Sequence, residues 1–222
     1  MRFLAKAILL DMDGVLVDSA PAVERVWHTW ALVHGLDPVV VIDQAHGRRS
    51  VETIRVVAPH MNAEQENIKV EQMEIADREG VTALAGAKAM LGSLPPDQCA
   101  IVTSATRPLA VARLGYAGLM VPKYMVTADD VVNGKPSPEP YLQGAALLAV
   151  APADCLAFED TPAGIAAARA AGMEVVALGN TYPANELQAA AAQVTSLLDV
   201  RVETYQGTLV VELANVQSKK IV

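Results

Sequence analysis

The sequence predicts an α/β fold, a doubly wound, Rossmann-like parallel sheet with an inserted helical cap. Three observations lead there. Short continuous apolar runs alternate with helical segments over the second half of the chain, as strands buried on both faces and their crossover helices do. Several runs end in carboxylates or hydroxyls, at the edge where open α/β sheets bind ligands. Between the first run and the rest, residues 16–84 have helical spacing and no convincing strand.

In chain order, residues 6–10 form the first strand, apolar and closed by Asp11 and Asp13. Within the insertion, Val23, Val26, Trp27, Trp30, Ala31 and Val33 recur at helical spacing, and 54–58 and 68–75 also read as helical. Trp27 and Trp30 are assigned to packing there. Core strands follow at 99–103, 124–127, 155–158 and 174–178, separated by helices at 108–115, 138–150 and 162–171. Thr161 caps the last of these helices, Pro162 takes its first position and Gly172 follows its end. Ser137-Pro138 and Thr106-Arg107-Pro108 mark two similar starts. Residues 200–204 and 208–213 flank Tyr205-Gln206-Gly207 and read as a hairpin that covers a sheet edge. The expected division is a catalytic core of 1–15 and 85–222 and a cap of 16–84.

Charge and composition narrow the function. A formal net charge of −8 over 222 residues lacks the basic footprint of a nucleic-acid binder. The apolar run after Arg2 and Lys6 is cut short by Asp11, so it is no signal peptide. No later run reaches the roughly 18 to 20 apolar residues of a bilayer span. A cytoplasmic monomer with no nucleic-acid or membrane partner is expected. Cys99 and Cys155 sit beside strands and read as buried thiols, with a disulfide as the alternative.

The carboxylates carry most of the chemical information. Asp11 and Asp13 are two residues apart after a strand, so continued extension points both to one side. Crowding two like charges demands a cation or hydrogen bonds; otherwise they are a solvated strand end. Glu159-Asp160 ends another strand and would share the same sheet edge, although alone it could be a helix-capping cluster. Converging carboxylates suit a hard cation, and Mg²⁺ accepts a few of them together with phosphate oxygens. Ser104-Ala105-Thr106 leads into a helix and offers a hydroxyl and amides to an anion, or is simply a cap. Lys135 lies in a proline-bounded loop, as a phosphate partner or as solvated surface.

Taken in order, these segments resemble the haloacid dehalogenase superfamily, and within it the phosphatases with a helical cap after the first motif. Asp11-Met12-Asp13-Gly14-Val15-Leu16-Val17-Asp18-Ser19 resembles the first motif and Val102-Thr103-Ser104 the second. Gly134-Lys135-Pro136 resembles the third, and Phe158-Glu159-Asp160-Thr161-Pro162-Ala163-Gly164 the fourth. Pro21-Ala22-Val23-Glu24-Arg25, Ala45-His46-Gly47-Arg48-Arg49 and Pro140-Tyr141 are similar to the sugar phosphatase, glycerol-3-phosphatase and 2-deoxyglucose-6-phosphatase type.

The resemblance implies hydrolysis of a small sugar, polyol or glycerol phosphate. Asp11 would be the nucleophile and form an aspartyl-phosphate, and Asp13 the general acid and base. Mg²⁺ would be held by the Asp11 carboxylate, the Asp13 backbone carbonyl and Asp160, with Glu159 supporting through water. Ser104, the Ala105 amide and Lys135 would hold the phosphoryl group. In the cap, His46 and Arg49 are the expected substrate contacts, with Arg49 preferred over Arg48. Two alternatives stand beside this reading: a β-phosphoglucomutase-like phosphotransferase and a catalytically silent binding protein of the same fold. Val23 and Ser50 replace the histidine and arginine of the mutases, and Asp13 is the acid that dehalogenases and phosphonatases lack.

Overall fold

The computed structural model describes residues 1–45 and 47–216. The chain opens with β1 (Arg2–Ala5) and β2 (Ala7–Leu10). After β3 (Val17–Asp18) come α1 (Ala20–Val33), α2 (Pro38–Ala45), α3 (Ser50–Val57) and α4 (Ala63–Ala76), and β4 (Thr82–Ala83) leads back. Alternation follows through α5 (Ala87–Ser93), β5 (Cys99–Val102), α6 (Arg107–Tyr116), β6 (Tyr124–Val126) and α7 (Glu139–Leu147). It continues with β7 (Cys155–Glu159), α8 (Pro162–Ala170), β8 (Glu174–Leu178), β9 (Ala192–Val194), β10 (Val200–Tyr205) and β11 (Thr208–Leu213).

Six strands form one parallel sheet in the order β6-β5-β2-β7-β8-β9. The chain crosses from β2 to β5 on one side and to β7 on the other, which makes the end of β2 a topological switch point. Leu10 lies in register with Ile101 and with Phe158. The residues that follow these three strands therefore arrive together at one edge.

Each central strand feeds two cores, because alternate side chains face opposite sides of the sheet. Ile8 and Leu10 pack with Ile101, Leu156 and Phe158 on one face, and Ala7 and Leu9 with Val102, Ala157 and Tyr141 on the other. Helix α7 approaches closely: a Cβ on Gly144 would stand 2.6 Å from Leu9 Cδ2. The inserted helices have their own core of Trp27, Trp30, Val41, Ile54 and Val70. Trp27 and Trp30 meet edge to face at 5.5 Å, the packing that their spacing predicts.

Several elements differ from expectation. A strand that the pattern did not show, β1, precedes the expected one and pairs antiparallel with β11 outside the main sheet. With β10 this makes a separate three-stranded sheet, in which β11 is central and sends Leu209, Val211 and Leu213 into the core. The hairpin turn is as expected, with Gln206 and Gly207 both at positive φ. Helix α2 hides behind Val39-Val40-Val41, a β-like run that Pro38 starts as a helix. The insertion begins and ends on a two-residue antiparallel ladder, Val17 with Ala83 and Asp18 with Thr82, too short to show as a pattern.

Both cysteines are free and buried. Because β2 lies between their strands, they stand roughly 10 Å apart, beyond disulfide reach. Burial pushes the Cys99 thiol up to about 12. Among the described residues, no helix is long and apolar enough to cross a membrane.

Candidate active site

The end of β2 builds the site. The Asp11 amide donates to Phe158 O at 3.0 Å, which continues the parallel ladder by one residue. Met12 points into the core, so Asp11 and Asp13 face the other way. Gly14, at φ +79°, then folds the chain back, and Gly14 N reaches Val17 O at 2.8 Å. Asp13 Oδ1 accepts from Ser19 Oγ at 2.6 Å, and Oδ2 from Arg113 Nη1 at 3.0 Å.

Lys135 is buried, and its ammonium spends three donors on three strands. It lies 2.5 Å from Asp11 Oδ1 and 2.6 Å from Glu159 Oε1, and donates to Val102 O at 3.0 Å. Desolvation works against this charge, but Asp11 and Glu159 hold its pKa above the ordinary lysine value. Tyr141 also donates to Glu159 Oε1, at 2.7 Å. The other Glu159 oxygen accepts from the Asp160 and Thr161 amides and the Thr161 hydroxyl at the start of α8.

Carboxylate oxygens of Asp11, Glu159 and Asp160 lie within 4.8 Å of one another. One Asp160 oxygen accepts from Thr181 Oγ1. The other, Oδ1, is buried without a partner among the described residues. Two glycines leave room for this cluster: a Cβ on Gly14 would meet the Asp160 carboxylate, and one on Gly164 the Glu159 carboxylate. Among the described residues, three buried carboxylates face one ammonium, an excess of acid that burial alone makes costly to ionise. Burial raises the pKa of Asp11 and Asp160; Glu159 raises both further, whereas Lys135 opposes the rise at each. An orphan oxygen, a hard donor set and this charge imbalance fit a divalent cation such as Mg²⁺.

A cavity of about 560 Å³ opens from the cluster. Asp11, Asp13, Ser104, Ala105, Lys135 and Asp160 line it from the core. Trp27, Gly47, Arg48, Ser50 and Glu74 line it from the insertion. Ser104 Oγ reaches Gly47 O at 3.5 Å, while the Ala105 amide donates to Thr103 Oγ1 at 3.1 Å. Gly47, at positive φ, lets the cap approach α8, since a Cβ there would stand 2.8 Å from Thr161 Cγ2.

The arginines differ from expectation. Arg48 borders the cavity and donates to Gln44 Oε1 at 3.1 Å. Arg49 turns away from it and grips Glu52, with Nη2 on Val132 O at 3.0 Å and Nη1 on Val131 O at 3.4 Å. It is the N-cap of α3, and Glu52, three residues on, draws its guanidinium aside. His46 lies outside the described residues, as do residues 217–222 of the expected core. Sequence reasoning passed over Arg113, Glu74 and Thr181, and gave Ser19 no role beyond its place in the first motif. Arg113 did leave a signal, a charge on the apolar stripe of Leu109, Ala110 and Leu114.

Comparison with known proteins agrees with this geometry. The haloacid dehalogenase-like hydrolase family model matches residues 5–172. Hexitol phosphatase A of Escherichia coli (strain K12) is 45% identical over 178 residues, 78% of this chain and 82% of that protein. Glycerol-1-phosphate phosphohydrolase 2 of Saccharomyces cerevisiae is 34% identical over 189 residues, covering 79% and 75%. A hydrolase from Pseudomonas syringae has a similar structure, with a TM-score of 0.76 at 25% identity over 86% of this chain and 92% of that one. The family match spans most of the chain, and its motif segments meet at one cavity. The chain therefore belongs to the haloacid dehalogenase-like hydrolase family.

Proposed function

We propose that this hydrolase is a Mg²⁺-dependent phosphatase acting on a small sugar, polyol or glycerol phosphate through an aspartyl-phosphate on Asp11. The observation that carries this is the buried cluster of Asp11, Lys135, Glu159 and Asp160 opening onto a cavity beside Ser104. The similarity to hexitol phosphatase A supports the substrate class.

In the first step an Asp11 carboxylate oxygen bonds to phosphorus as the ester P–O bond breaks. Asp13 gives its proton to the departing alkoxide. In the second, Asp13 takes a proton from water as that water attacks phosphorus, which frees inorganic phosphate and Asp11. Splitting one displacement into two lowers each barrier, and proton transfer by Asp13 contributes about 10² to 10⁴ in rate. Asp11, Asp160 and the Asp13 carbonyl would hold Mg²⁺, with Glu159 in support, and the ion would supply positive charge against the phosphoryl oxygens. Lys135 adds a fixed charge beside Asp11, and Ser104 orients the transferring group.

We assign residues 16–84 to the cap domain and 1–15 with 85–222 to the catalytic core. The cap shields the cavity from water and reads the rest of the substrate. Val23 and Ser50, the positions that depart from the mutases, both line the cavity, which favours transfer to water over transfer to a sugar. The test is a phosphate-release screen over sugar, polyol and glycerol phosphates, with Mg²⁺ or with EDTA. Release only with Mg²⁺ is expected; no release from any ester overturns the reading and leaves a silent binding protein.

A further inference from the structure

Arg113 sits on the buried side of α6, 6% exposed. A guanidinium cannot shed its charge, so burial is costly unless carboxylates meet it. Two do. Nη1 donates to Asp13 Oδ2 at 3.0 Å, and Nη2 lies 3.3 Å from Glu74 Oε1. Glu74 belongs to α4 of the cap, and its side chain is 4% exposed. Both Arg113 and Glu74 border the cavity.

Docking of the cap does not rest on this buried pair alone. Helix α4 is already fastened to α6 at its rim: Thr106 Oγ1 donates to Glu71 Oε1 at 2.5 Å, and Tyr116 Oη to Ile75 O at 2.7 Å. What Arg113 alone provides is a second anchor for Asp13. Ser19 holds one carboxylate oxygen and Arg113 the other, so both torsions of that short side chain are fixed. A reacting group needs this degree of orientation to work efficiently.

We propose that Arg113 is the positioning residue for Asp13, and that Glu74 completes its seat when α4 lies on α6. This rests on the phosphatase reading of Asp13. Seating of the cap then aims the acid-base group as well as closing the cavity.

The test compares kcat/KM for phenyl phosphate and 2,4-dinitrophenyl phosphate. Phenolate is a poor leaving group that needs a proton, whereas dinitrophenolate leaves without one. Arg113→Met should cut kcat/KM for phenyl phosphate about 10²-fold and for dinitrophenyl phosphate less than about 3-fold. Glu74→Gln should show the same imbalance, more weakly, and Arg113→Lys should recover part of the loss. If Arg113→Met fails to fold, the same ratio is read from Arg113→Lys and Glu74→Gln. Equal losses on both esters in a folded variant indicate a structural role and overturn the proposal, as does no loss on either. Wild type that with Mg²⁺ hydrolyses neither these esters nor any sugar, polyol or glycerol phosphate overturns the phosphatase reading itself, and the proposal with it.

Discussion

The ammonium of Lys135 stands 2.5 Å from the Asp11 carboxylate, at the point where the ends of β2, β5 and β7 meet. One buried cation thus joins the proposed nucleophile to Glu159 and to the backbone of the neighbouring strand. Its position makes Lys135 both a structural and a chemical residue, and the two roles separate experimentally.

Replacing Lys135 with Met removes the ammonium that pairs with Asp11 and Glu159. Loss of one partner from a buried pair costs about 3 to 5 kcal/mol, so urea unfolding of the metal-free variant should shift by that order. Turnover should fall to background. Saturating Mg²⁺ should restore part of the stability and none of the activity, which thermal melts and phosphate release would measure side by side.

The carboxylate cluster also sets a pH dependence. In the metal-free protein, burial first and Glu159 next push Asp11 from 3.8 up to about 8, with Lys135 opposing them, and Asp160 also rises. The folded state then keeps protons that the unfolded state releases. Stability should therefore fall as pH climbs from about 4 to about 8. Mg²⁺ binds the deprotonated carboxylates, so its stabilising effect should grow over the same window. Melting curves with EDTA and with Mg²⁺ at both ends of the window check this; a Mg²⁺ shift independent of pH would contradict it.

Two glycines guard the same cluster. Gly14→Ala would force a side chain onto the Asp160 carboxylate at a backbone φ of +79°, and Gly164→Ala would press on the Glu159 carboxylate. Each should cost about 1 to 3 kcal/mol. Each should also weaken Mg²⁺ binding, read as a smaller thermal shift at fixed Mg²⁺. Unchanged Mg²⁺ response in a folded Gly14→Ala protein would move the metal away from Asp160.

The two cap arginines should part company in kinetics. Arg48 borders the cavity, so Arg48→Ala should raise KM about tenfold with kcat within about threefold. Arg49 instead bridges Glu52 and the carbonyls of Val131 and Val132. Its removal should loosen the cap against the loop that carries Lys135 and lower kcat with little effect on KM. The reverse assignment in steady-state kinetics would return Arg49 to the substrate.

Much of this site was legible because the chemistry is tied to strand ends. Asp11, Ser104, Glu159 and Asp160 each follow or close an apolar run, and a parallel sheet brings such ends together whatever its loops do. Lys135 was legible only through its motif, since a lone lysine in a loop ahead of two prolines gives no local sign that it is buried. The direction of Arg49 was not legible, because side-chain direction at a helix start depends here on Glu52, which pattern reading does not weigh. The pair of Arg113 and Glu74 joins residues 39 positions apart in two helices, and no periodicity reveals such a contact. In the fold, α2 was hidden by its valines and β1 by its separation from the main sheet. β-branched runs and short strands leave that choice to tertiary packing.

The central claim is that Asp11 carries the phosphoryl group and Asp13 serves both halves of the reaction. Asp13→Asn mixed with 2,4-dinitrophenyl phosphate and Mg²⁺, then acid-quenched within the first turnover, tests it most directly. Dinitrophenolate needs no proton to leave, whereas the attacking water has lost its base. The account predicts a burst of about one dinitrophenolate per enzyme and a phosphoryl group on the peptide containing Asp11. Dinitrophenolate and phosphate released in step, with no phosphorylated Asp11 peptide, would contradict it.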